Sequence, residues 1–191
     1  MPILGIMASQ ISGHLFAPSG AYDSIATTTV GSGGSSSVTF SSIPSTYTHL
    51  QIRWLAQCSN SAQGVENMGF RFNSDTGANY TRHYVDADGS ATGAGANTGL
   101  SQAYSVLAQT STTYPSAFGV GYMDILDYTN TNKYTTTRAL AAMDYNGTGS
   151  YMQFTSDLWL NTAAITTINI RPLSGSFTQY SSFALYGIKG N

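Results

Sequence analysis

Charge is what this sequence has least of. Asp, Glu, Lys and Arg together make up 8% of its 191 residues, against about 25% in an ordinary soluble domain. The seven Lys and Arg are spread along the chain and the formal net charge is −2, so the basic footprint that nucleic-acid binding requires is missing. The single cysteine, Cys58, excludes an internal disulfide framework and a cysteine-based zinc site. It is expected to be a half-buried free thiol. No segment carries a helical stripe with caps. No Gly-x-Ser-x-Gly occurs, and no histidine is locally paired with a serine. The opening stretch Met1–Ala8 is apolar but has no Lys or Arg ahead of it and breaks at Ser9 and Gln10. That makes a poor signal peptide and is too short to span a bilayer. The expectation is synthesis in a cytoplasm without a recognisable export signal, with neither nucleic acid nor membrane as partner.

Polarity comes instead from Tyr, Thr, Ser and Gly. A surface kept wet by hydroxyls rather than ions suits secreted binding modules, or virion proteins whose surfaces are largely covered by neighbours. The chain organises around Val38–Ala56, which reads as a short strand, a turn at Pro44 and a longer strand. In the longer strand Leu50, Ile52, Trp54 and Ala56 share one side, and His49, Gln51, Arg53 and Leu55 share the other. This period of two is what one buried sheet face needs. Proline has no N–H for a ladder, so Pro44 belongs in the connection.

Further strands are expected at Tyr22–Val30, across Met68, Phe70 and Phe72, at Asn79–Val85, Ala103–Ala108, Phe118–Tyr128, Lys133–Tyr145, Tyr151–Leu160, Ile165–Arg171 and Ser182–Lys189. Asp124 and Arg138 are placed to meet across the long hairpin, and the Asn-Gly step at Asn146 signals a tight turn. Asp86–Gly99 has almost no side chain large enough to bury, and is expected to be a long exposed loop of the kind that carries binding residues. About ten strands with turns between them predict an all-β fold: an antiparallel two-sheet sandwich, jelly-roll-like, in one domain over residues 20–191. Residues 1–19 read as an N-terminal arm. Its apolar anchors Ile3, Leu4, Ile6, Met7, Ile11, Leu15 and Phe16 have no clean period, and Gly5, Gly13 and Pro18 interrupt any helix. Such an arm needs cover, either from its own domain or from a partner.

Chemistry-bearing patterns are sparse. Asp124 and Asp127 are expected on opposite faces of one strand, where they cannot flank a single bond, and a glycosidase needs two carboxyls held at a set separation. Asp86-Ala-Asp-Gly resembles a fragment of a calcium loop but lacks its distal ligands. His14, His49 and His83 have no spaced partner. No catalytic residue, metal or cofactor is therefore assigned. Exposed aromatics can stack on sugar faces, which makes Tyr80, Tyr84, Tyr104, Tyr114 and Tyr128 candidates by their places near loops, and the candidate ligand-facing loop residues are Tyr84, Asp86, Asp88 and Tyr104.

The segments Met1–Gly13 (MPILGIMASQISG), Tyr22–Gly31 (YDSIATTTVG), Val38–Arg53 (VTFSSIPSTYTHLQIR) and Phe183–Lys189 (FALYGIK) resemble small virion proteins of tailed phages of the aquatic and cyanophage type. The likeness covers both ends and the first third; Gln57–Thr162 looks individual. It implies a non-enzymatic particle component with a jelly-roll-like domain, a capsid decoration (cement) protein or a tail- or fibre-associated receptor- or carbohydrate-binding module. Its partners would be copies of itself, as a homo-oligomer of trimeric type, and other virion proteins such as the major capsid or tail protein. The arm would dock on the particle, and the location would be the virion.

Overall fold

The computed structural model describes residues 21–61, 64–109, 114–146 and 149–190. The expected arm over residues 1–19, with its anchors from Ile3 to Phe16, lies outside the described residues, as do Gly147 and Thr148 of the Asn-Gly turn. Twelve strands follow in order: β1 (Tyr22–Thr29), β2 (Val38–Phe40), β3 (His49–Cys58), β4 (Val65–Phe72), β5 (Tyr80–Ala87), β6 (Thr92–Leu100), β7 (Ala103–Gln109), β8 (Gly119–Ile125), β9 (Thr135–Met143), β10 (Tyr151–Trp159), β11 (Ile168–Pro172) and β12 (Ser182–Ile188). Among the described residues no helix is long and apolar enough to cross a membrane.

The strands join into one hydrogen-bonded sheet in the order β2-β11-β4-β7-β3-β8-β9-β10-β5-β6, with β12 also paired to β3 and β1 to β12. β3 is the hub. Its residues from His49 to Ala56 pair antiparallel with β12 on one side and β8 on the other. β8 begins only at Gly119, opposite Ala56, and beyond it Gln57 and Cys58 take Ala108 and Gln109 of β7 as parallel partners. The sheet is therefore mixed, which corrects the expectation of a purely antiparallel one. The parallel pairing follows from β3 outrunning its neighbour, because its last backbone groups must still find partners.

Alternation in β3 sorts the side chains as expected: Leu50, Ile52, Trp54 and Ala56 are all buried. They meet Met68, Phe70 and Phe72 of β4, likewise fully buried, with the Trp54 and Phe70 rings 5.6 Å apart. Further along, Phe72, Tyr80 and Trp159 form a mutually touching aromatic group at 5.6–6.2 Å. The Tyr80 hydroxyl accepts the Phe72 backbone N–H, and the Trp159 indole N–H donates to Asp75, so the polar ends of these rings are satisfied. Cys58 is completely buried rather than half-buried. Burial pushes its thiol up to about 11, which leaves it unreactive.

Two expectations fail locally. Asp86–Gly99 is not a loop. β5 runs through Asp86 to Ala87, a short turn follows, and β6 returns antiparallel with Asp86 opposite Gly93 and Tyr84 opposite Gly95. Backbone pairing needs no large side chain, and here it needs small ones. A Cβ on Gly95 would come within 2.6 Å of the Tyr84 hydroxyl, and one on Gly93 within 2.3 Å of an Asp86 carboxylate oxygen. The second failure is Asp127. β8 stops at Ile125, and Asp127 sits in the following turn at φ 48°, where the Nδ1 of His49 accepts its backbone N–H. Asp124 and Arg138 do meet, in register and 3.1 Å apart.

A candidate docking face and the polar seam beneath it

Strands β3, β8, β9, β10 and β5 lie side by side, and their registers align outward-facing residues in rows. One row is Leu55, Val120, Ala142, Met152 and Ala87. The next is Arg53, Tyr122, Leu140, Phe154 and Val85, and the third is Gln51, Asp124, Arg138, Ser156 and His83. Every large apolar side chain in the first two rows is exposed, with Val120 and Met152 both at 51%. Two adjoining depressions of about 530 and 520 Å³ run through these rows and share Val120, Ala142 and Met152. Scattered exposed apolar residues are ordinary, but a contiguous band across five strands marks a contact surface.

The third row closes the band with a connected polar edge. Asp124 accepts from Gln51 at 2.7 Å and from Arg138 at 3.1 Å, and Arg53 donates to Gln51 at 2.7 Å. The Arg53 guanidinium also stands 5.3 Å from the Tyr22 ring centroid and 5.2 Å from that of Tyr186, both within cation–π range. Arg53 is thereby held at the end of the apolar band where β1 and β12 begin.

On the opposite side, the first residues of β9 and the middle of β10 are polar. Gln153, Thr155 and Asp157 of β10 and Thr135 and Thr137 of β9 all point inward and are buried. β7 covers them: Tyr104 donates its backbone N–H to Asp157, and its carbonyl accepts from the Thr155 hydroxyl, both at 3.2 Å. Arg82 stands opposite Asp157 in register, yet the Arg82 Nε and the second Asp157 oxygen have no protein hydrogen-bond partner. Burial is the main reason the Asp157 carboxyl is raised to about 7; the Tyr104 N–H and the Arg82 charge oppose it. A carboxyl poised there has the proton affinity of a general acid or base, but Asp157 is only 2% exposed, so a substrate cannot reach it.

The four candidate ligand-facing residues separate into different settings. Tyr84 and Tyr104 come together around Arg82, whose guanidinium lies 4.3 Å from one ring and 5.3 Å from the other. Asp86 is taken by the Tyr151 hydroxyl; burial first, then this contact, pushes that phenol up to about 12. Asp88 caps its own turn, accepting from the Ser90 and Ala91 backbone N–H groups and the Ser90 hydroxyl. Those bonds, the Ser90 N–H foremost, hold its carboxyl below the usual range. Among the described residues no three His, Cys, Asp or Glu stand together as a metal site would require.

Reasoning from the sequence missed the outer band. Its signal was present: in β8 and β10 the outward positions Val120, Tyr122, Met152 and Phe154 are as apolar as many inward ones. Comparison with protein-family models, with curated proteins and with solved structures finds no match.

Proposed function

We propose that this chain is a non-enzymatic structural protein of a tailed-phage particle, a capsid decoration protein that docks on the particle and assembles as a symmetric homo-oligomer. The observation that carries this reading is the exposed apolar band across β3, β8, β9, β10 and β5. A domain with so few charges and a contiguous apolar face gains by covering that face through association, and closed oligomers do so with one repeated contact. The likeness of both chain ends to small virion proteins points the same way. In this reading β2-β11-β4-β7 forms one leaf of a jelly-roll-like sandwich, and the strands from β1 and β12 through β6 form the other.

Immunogold labelling of intact virions tests the assignment. Label on the heads, together with co-purification with heads and a gain in their heat resistance, is expected. Particles that carry no label would overturn it. A tail- or fibre-associated receptor binder is the second reading, favoured by the Tyr84–Arg82–Tyr104 stack beside the exposed β5–β6 hairpin. It requires label on the tail, binding to a glycan array, and a block of infection by excess free protein.

A further inference from the structure

The two depressions in the outer band carry opposite charge. Among the described residues, Arg53 lines the one against β3, which has no acidic side chain; Asp88 and Asp144 line the other, which has no basic one. The wall they share, Val120, Ala142 and Met152, separates the two ends. Arg53 is held in place by its bond to Gln51 and by the Tyr22 and Tyr186 rings. Asp88 is exposed on its turn. Its three bonds among the described residues all reach Oδ1, which leaves Oδ2 to a donor from outside.

A surface with a basic end, an apolar middle and an acidic end fits a copy of itself. Arg53 stands on β3 in the second row, and Asp88 follows Ala87 of the first row on β5, so Ala142 of β9 lies between them. A two-fold axis in the contact plane, through Ala142 and at right angles to the Arg53–Asp88 line, lays each depression over the other depression of the second copy. Arg53 then faces the partner's Asp88, and Asp88 faces the partner's Arg53, which is the reciprocity an isologous contact requires. An axis along that line would instead set Arg53 on Arg53 and Asp88 on Asp88, and like charges exclude that orientation. The area is sufficient. The band is the centre of the outer face of eight neighbouring strands, β1-β12-β3-β8-β9-β10-β5-β6. Seven spacings of about 4.8 Å and about seven residues of about 3.3 Å make that face about 34 by 23 Å. The product, about 800 Å², is what each partner gives to a standard interface, and an apolar centre inside a polar rim is the usual make-up of one.

We propose that two copies of this chain pack face to face through the outer band about a two-fold axis, with Arg53 of each opposite Asp88 of the other. This contact rests on the reading of the band as a face covered by association, and it names the partner as a second copy. A two-fold contact closes at two subunits, so the unit is a dimer rather than the trimer that the likeness of the chain ends implies. Docking on a particle then falls to other surfaces of the dimer.

Sedimentation velocity of the full chain tests the contact. The wild type should run as a dimer at about 50 μM, within the affinities that standard-sized interfaces give. Val120→Lys combined with Met152→Lys, both at exposed positions, should give monomers. Arg53→Glu and Asp88→Arg should each weaken the dimer about tenfold or more, because each variant meets two like-charge pairs in its own homodimer. Mixed in equal amounts, these two variants should dimerise with each other to within about threefold of the wild-type affinity, since every pair in the mixed dimer is again of opposite sign. Mixing does not rescue a misfolded variant, so the restored dimer reads the contact and not the fold. A wild type that stays monomeric, a trimer, a dimer that survives Val120→Lys with Met152→Lys, or a mixture without heterodimer would each overturn the face-to-face contact. A trimer, or a dimer indifferent to these substitutions, would leave the homo-oligomer standing with a different interface. Label on intact virions is read independently of all of these, so this contact and the particle assignment can fail separately.

Discussion

Where β9 begins and β10 runs past it, the usual distribution of polarity is inverted. Outward, toward solvent, stand Leu140, Met152 and Phe154; inward, under β7, stand Thr137, Gln153, Thr155 and Asp157. The aromatic group around Phe72, Tyr80 and Trp159 follows the ordinary rule, with rings inside and polar tips satisfied. The aromatic group is thus held by apolar burial, and the contact of β10 with β7 by hydrogen bonds.

Two phenylalanines give the sharpest contrast. Phe72 is fully buried, and Phe72→Ala should cost about 3–5 kcal/mol through lost burial and the cavity left behind. Phe154 is 45% exposed, and Phe154→Ala should cost under about 1 kcal/mol while weakening whatever covers the outer face. Urea unfolding of the two variants measures both, and equal losses would erase the distinction between core and contact surface.

The polar seam predicts a pH dependence. Asp157 is raised to about 7 in the folded chain, against about 3.9 for a free Asp. Between those values the folded state holds a proton that the unfolded state has lost, so stability should fall as pH rises from about 4 to about 7. At about 1.4 kcal/mol per unit the fall is up to about 4 kcal/mol. Asp157→Asn should flatten this slope in urea titrations at pH 4.5 and 7.5, and an unchanged slope would remove Asp157 from the account.

Smaller effects refine the boundary between the two sides. Gly121 lies where a Cβ would meet the Trp54 ring at 2.3 Å and Ala141 at 2.9 Å. Gly121→Ala should therefore cost about 1–3 kcal/mol through overpacking, read as a drop in the thermal midpoint. Arg138 pairs with Asp124 from a largely exposed position, and Arg138→Ala should cost no more than about 1 kcal/mol. A larger loss would show that the polar edge of the outer band is structural in its own right.

Some of this was legible in the linear chain. Alternation in β3 identified its buried side because one residue's shift would turn every apolar side chain to water. The Asp124–Arg138 pair was legible because a hairpin makes cross-strand neighbours a matter of counting. β6 was not, since Thr92–Leu100 has no apolar alternation and is a strand only because β5 offers it a backbone partner. The outer band was hidden for a related reason. Val120, Leu140, Met152 and Phe154 belong to three strands, and only the registers bring them into one surface.

Composition and alternation alone determined that this chain is built from strands and carries few charges, because local stereochemistry and side-chain polarity act over a few residues. Which strands are neighbours, where β3 leaves β8 for β7, and which face of β10 meets solvent were decided only in three dimensions. Those outcomes depend on backbone groups finding partners far away in sequence, and no short stretch of the chain encodes them.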